Sequence, residues 1–251
     1  MEKRFIIIMI SIVLVLTAVL CAHLFFDRDM IVNVGSDGEI NRGVVYDENV
    51  TEVPFVYEDV PFATIEFGGI DWLVLDENDD RKLMISKYIL DVKSYHNVAW
   101  ESITWADSSI RSWLNSEFYN QFSEAERMRI VETNLVNNDN LWIGTAGGAN
   151  TVDKIFLLST EEIVRYFGDS GQLEIPHEFP DEQWWGFNDQ YRNTRKAREQ
   201  NGRFYEPWWL RSPGSVTLYA AFIDSDGSVF VAGSIMVDHV LGIRPAMWIY
   251  Q

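Results

Sequence analysis

Two arginines set inside apolar strand-like segments near the C-terminus constrain the fold more than any other feature. The stretch that holds them runs from Pro207 to Ile249. It begins Pro207-Trp208-Trp209-Leu210-Arg211-Ser212-Pro213-Gly214 and ends Gly242-Ile243-Arg244-Pro245-Ala246-Met247-Trp248-Ile249. A guanidinium taken out of water alone is costly, so strands that carry Arg211 and Arg244 require acceptors close by. Carboxylates or backbone carbonyls that pin the C-terminal strands are the expected partners. Trp208–Arg211 reads as a strand ended by Pro213-Gly214. Leu218–Ile223 and Val229–Val231 flank Asp224-Ser225-Asp226-Gly227-Ser228, a hairpin turn. Ile235–Val240 and Gly242–Ile249 are expected to be the last strands.

The chain starts very differently. Lys3 and Arg4 precede an apolar run from Phe5 to Phe26, and Asp27 and Asp29 follow it. A helix that spans a bilayer needs roughly 20 apolar residues, and the positive flank places the C-terminal part outside the cell. A signal anchor over residues 1–26 is the first reading. A cleaved signal peptide and a lipoprotein cut before Cys21 are the others, and all three export the rest of the chain. Residues 27–61 are acidic, punctuated by Gly35, Gly38, Gly43, Pro54 and Pro61, and read as a stalk.

A globular domain is expected over residues 62–251. Ala63–Phe67, the pair Gly68-Gly69 and Ile70–Asp76 spell strand, turn, strand, and Arg81–Ser86 a third strand. Ile110, Trp113, Leu114 and Phe118 fall at helical spacing, which predicts a helix over Trp105–Phe122 capped by Asp107. Ser123 with Glu126, and Ser159 with Glu162, have the spacing of capping boxes, in which each side chain satisfies a free backbone N–H of the first turn. The first predicts a helix to about Val131, the second a short helix ended by Gly168. Asn134–Thr151 is polar and Gly-rich and reads as a long loop without P-loop spacing. The contiguous apolar run in Asp153–Ser159 predicts a buried strand. Asp189–Gln200 predicts a polar helix whose Arg192, Arg195, Lys196 and Arg198 form a solvated basic face.

The net charge of −18 disfavours a nucleic-acid partner, because a phosphate backbone repels such a surface. The single cysteine, Cys21, lies in the apolar run, so the domain has no disulfide and no thiol nucleophile. His96, His177 and His239 are scattered without zinc-site spacing, and Asp224-Ser225-Asp226-Gly227 lacks the carboxylate that would complete a calcium loop. No metal, cofactor or catalytic constellation is therefore expected. Ten tryptophans point to a rich core. Trp184, Trp185, Trp208 and Trp209, with Arg211 and Asn188, are the candidate ligand-binding residues. In that reading, sugar rings stack on indole faces while polar groups hold hydroxyls. Arg244, Gly242 and Trp113 are the candidate structural residues.

In order along the chain, Phe67-Gly68-Gly69-Ile70-Asp71-Trp72-Leu73-Val74-Leu75, Ser109-Ile110-Arg111-Ser112-Trp113-Leu114-Asn115, Phe122-Ser123-Glu124-Ala125-Glu126, Ile155-Phe156-Leu157-Leu158-Ser159, Trp209-Leu210-Arg211-Ser212 and Gly242-Ile243-Arg244-Pro245-Ala246 together resemble a DUF6273-type domain of Gram-positive bacteria. The resemblance implies an α+β, C-type-lectin-like fold: a mixed antiparallel sheet with two or three helices and long irregular loops, here preceded by a transmembrane helix. It makes Gly242-Ile243-Arg244 a structural mark. It does not carry over the oxidase activity of formylglycine-generating relatives, which depends on cysteines missing here. The expected function is a non-catalytic, membrane-anchored binding domain on a bacterial surface that recognises a glycan or a protein. Its ligand face would be built from loops near Asn137–Asn150, Trp184–Asn188 and Ser212–Thr217. A structural component of the envelope and an envelope hydrolase are the alternatives.

Overall fold

The computed structural model describes residues 61–78, 80–174 and 185–251. The expected anchor over Phe5–Phe26, the stalk up to residue 60, and Trp184 lie outside the described residues. Among the described residues, eleven strands are arranged in three sheets. The first is β1 (Thr64–Phe67), β2 (Ile70–Glu77), β3 (Arg81–Ser86) and β11 (Ala246–Tyr250), in that order and antiparallel throughout. The second holds β4 (Asp91–Ser94), β10 (Val240–Ile243), β7 (Trp208–Pro213), β8 (Ala220–Ile223) and β9 (Val229–Phe230), antiparallel except where Gly242 of β10 meets Trp208 of β7 in parallel. β5 (Thr133–Leu135) and β6 (Thr151–Asp153) form a small ribbon.

Local rules set the first sheet. Gly68 and Gly69 both have positive φ, +63° and +72°, as a two-residue hairpin turn requires, and Phe67 pairs with Ile70 across it. A Cβ on Gly68 would stand 2.5 Å from the Phe122 ring, so the turn also packs where no side chain fits.

The second sheet is set by burial. Every residue of β7 and β8 is buried, so these strands show no in–out alternation. Trp208, Trp209, Phe222 and Ile243 join Trp72, Leu73, Met84 and Met247 of the first sheet in one core.

The chain crosses between the two sheets at two adjacent places, residues 87–90 and 244–245. The expected strand Gly242–Ile249 is thereby divided: Pro245 carries no N–H, and β10 ends at Ile243 before β11 begins at Ala246. The Ser86 amide donates to Pro245 O at 2.9 Å, and Leu90 N to Ile243 O at 3.0 Å. Arg244 spans the crossing. Its Nε and Nη2 donate to the Ser86 carbonyl at 3.0 and 2.9 Å, and its guanidinium lies 4.7 Å from the centre of the Trp208 ring. Gly242 is required for close packing, since a Cβ there would meet Ile89 Cδ1 at 2.7 Å and Pro207 O at 2.9 Å.

The helices are shorter than the sequence predicts. Trp105–Phe122 divides into a 3-10 turn (Trp105–Asp107), α1 (Ser109–Trp113), a π turn (Leu114–Phe118) and another 3-10 turn (Tyr119–Gln121). Ser108, not Asp107, caps α1, its Oγ accepting from Arg111 N. The apolar spacing still buries Ile110, Leu114 and Phe118, with Trp113 packed at the core margin. α2 (Glu124–Arg129) and α3 (Thr160–Phe167) each begin with the expected capping box, and α3 ends at Gly168.

Ile155–Leu158 is buried but is not a strand. Asn115 takes Lys154 N, Ile155 N and Ile155 O, while Arg211 takes the carbonyls of Leu157 and Leu158. Ile235–Val240 yields only a bridge between Met236 and Tyr219 ahead of β10. The expected helix Asp189–Gln200 reduces to α4 (Arg192–Arg195), because Arg195 turns into the core instead of to solvent.

Candidate functional site

Three internal ion pairs hold the loops that leave the second sheet. Arg195 is fully buried and forks onto Asp189, with Nε donating to Gly227 O at 2.9 Å. Burial works against the Asp189 carboxylate, but the Arg195 guanidinium, the Ser170 hydroxyl and the Tyr191 amide together hold its carboxyl below the usual range. Arg211 is clamped in the same way by Glu162 of α3, Nη2 donating at 3.0 Å, and by Leu157 O. Arg111 donates to Asp153 Oδ1 at 2.7 Å, and Asp153 Oδ2 also accepts from Trp105 Nε1 and Thr151 Oγ1. That last pair fixes α1 and the turn before it.

The held loops gather at one end. Asn140 is buried, and its amide donates to Pro213 O and Val231 O at 2.8 Å each. Thr145 Oγ1 donates to Ser215 O at 2.7 Å, and Ile103 N to Thr217 O at 3.0 Å. Gly148 lies directly against Thr104. His96 N donates to Val237 O, and Ala232 N to Trp185 O. Segments 96–104, 137–150 and 213–219 therefore meet. Each of the three carries exposed apolar side chains: Val98 and Trp100, Leu141, and Val216. Trp100 is 71% exposed with φ +62°, a conformation a bulky residue adopts only when its surroundings impose it.

The predicted binding residues separate. Trp208 and Trp209 are core residues with 0% exposure, so the expected surface platform does not form from them. The Trp208 indole N–H donates to Arg195 O. That of Trp209 donates to Lys93 O, and its ring lies edge-on to Tyr95 and Phe222. Arg211 is likewise buried, a clamp of the kind its setting demanded. Trp185 is half-buried beside Ala232, and exposed Asn188 donates to Asp226 Oδ2 at 3.3 Å. Asp224-Ser225-Asp226-Gly227 closes the β8–β9 hairpin, Gly227 N donating to Asp224 O at 2.9 Å. Among the described residues, no group of three or more His, Asp or Glu is arranged to hold a metal.

A polar groove of about 790 Å³ runs along α1 and β4 beside the 96–104 loop. Lys93, Asn97, Asp107, Ser109, Arg111 and Trp113 contribute to its walls, and the Lys93 ammonium sits 4.4 Å from the Trp113 ring centre. Behind the wall lies a constellation that sequence reasoning missed. Ser109 Oγ is 3.0 Å from His96 Nδ1, and His96 Nε2 is 3.3 Å from Glu101 Oε2. Ser109 Oγ also donates to Asn97 Oδ1 at 2.7 Å and accepts from Asn97 N at 3.3 Å. The three residues fall within one short stretch of sequence, and a histidine followed by a carboxylate and a serine was the signal available.

The fold and this end together define a class: a mixed α+β domain whose second sheet buries ion-paired arginines and whose loops converge on one polar and aromatic face. The chain belongs to the family described as Domain of unknown function (DUF6273), whose model matches residues 79–251. β1 and β2 lie wholly before that range, yet β1 pairs with β2 and β2 with β3, so the folded unit extends upstream of it. Comparison with curated proteins and with solved structures finds no match.

Proposed function

We propose that this chain is an extracytoplasmic, membrane-anchored binding domain of a bacterial surface protein, built on a C-type-lectin-like plan and recognising a glycan. The observation that carries the reading is the meeting of three loops that each expose apolar side chains, Trp100 foremost, beside a polar groove. A monomer rarely leaves such groups clustered without use. An indole face stacks on a sugar ring, and the amide, hydroxyl and carboxylate groups of the groove hold its hydroxyls. The apolar run Phe5–Phe26, with Lys3 and Arg4 before it, supports insertion in a lipid bilayer with the domain outside.

The test is a glycan array probed with the whole chain in detergent micelles, alongside Trp100→Ala and Phe204→Ala. Phe204 is as exposed as Trp100 but lies outside the loop cluster. A hit lost in Trp100→Ala and kept in Phe204→Ala is the expected outcome. Retention in a folded Trp100→Ala removes this face, and silence across the array turns the search to a surface protein as partner.

A further inference from the structure

We propose that Ser109 is the nucleophile of an acyl-transfer centre, with His96 as its base and Glu101 as the positioning residue, acting on short-chain O-acyl esters of polar alcohols. This goes beyond binding and departs from the sequence expectation of a domain without catalysis.

The Glu101 carboxylate beside Nε2 selects the histidine tautomer that carries its proton there, which leaves the Nδ1 lone pair toward Ser109. At 3.0 Å the hydroxyl is within reach of a general base. The imidazole so oriented accepts the Ser109 proton once the hydroxyl turns from Asn97 Oδ1 to Nδ1, and the Asn97 backbone N–H, which donates to Oγ at 3.3 Å, steadies the attacking oxygen. The His96 side chain is 10% exposed, so the base is shielded from bulk water, whereas Ser109 lines the open groove. Asp153 fixes α1 through Arg111 and the Trp105 turn, and Ile110 N donates to Tyr95 O at 3.1 Å, so both ends of the Ser109–His96 pair sit on braced backbone. Glu101 directly follows Trp100, the described non-glycine residue with positive φ; the strained bend turns the loop back beside His96.

The step balances. Ser109 Oγ bonds to the ester carbonyl carbon while its proton passes to His96 Nδ1. Collapse of the tetrahedral intermediate breaks the ester C–O bond, and the alcohol leaves with that proton. Water, deprotonated by the same nitrogen, then releases the acyl group as a carboxylic acid and restores the serine. The substrate class follows from the walls. Hydroxyl, amide and carboxylate groups suit a polar alcohol, and the mostly polar lining suits a short acyl chain better than a long one.

The experiment uses the whole chain, a fluorophosphonate probe and peptide mass spectrometry, with circular dichroism as the check on folding. The expected result is one phosphonyl adduct on Ser109, absent in Ser109→Ala and formed about 100-fold more slowly in His96→Gln. Glu101 is half-exposed, so Glu101→Gln keeps the fold. It slows labelling, and Glu101→Asp restores part of the rate, which a purely structural carboxylate would not do. p-Nitrophenyl acetate gives a burst of one equivalent in the parent chain. A folded chain without an adduct overturns the proposal. So does an adduct elsewhere, or one that forms equally fast in His96→Gln. None of these readouts depends on finding a glycan.

Discussion

The two large sheets are built by opposite means. In the first, β1 to β3 follow one another through tight turns and pair in sequence order, and only β11 joins from far along the chain, beside β3. In the second, no two adjacent strands except β7, β8 and β9 are consecutive; β10 is inserted between β4 and β7. The first is held by backbone pairing and apolar contact. Among the described residues, the first carries only partly exposed ion pairs such as Lys82 with Glu77, whereas the second depends on buried arginines, Arg195 paired with Asp189 and Arg211 with Glu162. All the loops of the candidate face spring from the second sheet, from α1 or from the β5–β6 ribbon. The difference teaches that directional, buried polar pairs are used where long connections must be held at fixed positions, and that simple burial suffices where the chain turns back at once.

The largest effect is expected where a charge would be left alone. Asp189→Ala strands the Arg195 guanidinium with no exposure to solvent, and the loss of stability should be about 3–5 kcal/mol. Urea unfolding measures it. The pH dependence has a defined sign. Because the Asp189 carboxyl is held below its usual range, its contribution is present above the unfolded value of about 3.9 and is lost as pH falls through the lower folded value. Stability of the parent chain should therefore fall on acidification through that window, and the variant should lack this part of the slope. A variant as stable as its parent would break the contrast between the sheets.

Arg244→Ala comes next, because it acts where both sheets are joined. Its removal leaves the Ser86 carbonyl without two donors and empties space against Trp208. The expected loss is about 2–4 kcal/mol. The defect should be in folding of the whole domain. A stable, well-folded Arg244→Ala chain would show that the crossing is held by Pro245 and backbone bonds alone.

The same contrast explains what the sequence discloses. The Gly68-Gly69 hairpin, both capping boxes and the Asp224–Ser228 turn are local signals, and each is where its spacing places it. The demand of Arg211 and Arg244 for buried acceptors was also legible, but not which acceptors, since Glu162 and Ser86 are remote in sequence. Trp208 and Trp209 misled because a polar-edged aromatic pair reads alike in a core and on a surface; only tertiary packing buries their faces. Ile155–Leu158 misled because apolar continuity reports burial, whereas Asn115 and Arg211 occupy the backbone groups a strand would need. The Ser109–His96–Glu101 cluster was hidden by its loop, whose path back beside His96 no periodicity encodes.

The smallest effects compare the two capping boxes. Ser123→Ala and Ser159→Ala each free the amide at the third helical position, and each should cost about 1 kcal/mol as a lost cap. Ser123 is exposed beside the first sheet, where its hydroxyl and amide hold the Glu126 carboxyl below its usual range. Glu162, by contrast, closes its box and clamps Arg211 of β7 with the same carboxylate. Loss of the Ser159 hydroxyl loosens the start of α3 and with it the clamp. Ser159→Ala combined with Arg211→Lys should therefore be non-additive by more than about 0.5 kcal/mol, while Ser123→Ala with Arg211→Lys should add. Equal additivity in both cycles would mean that α3 is held by its apolar face alone, and that Glu162 serves cap and clamp without linking them.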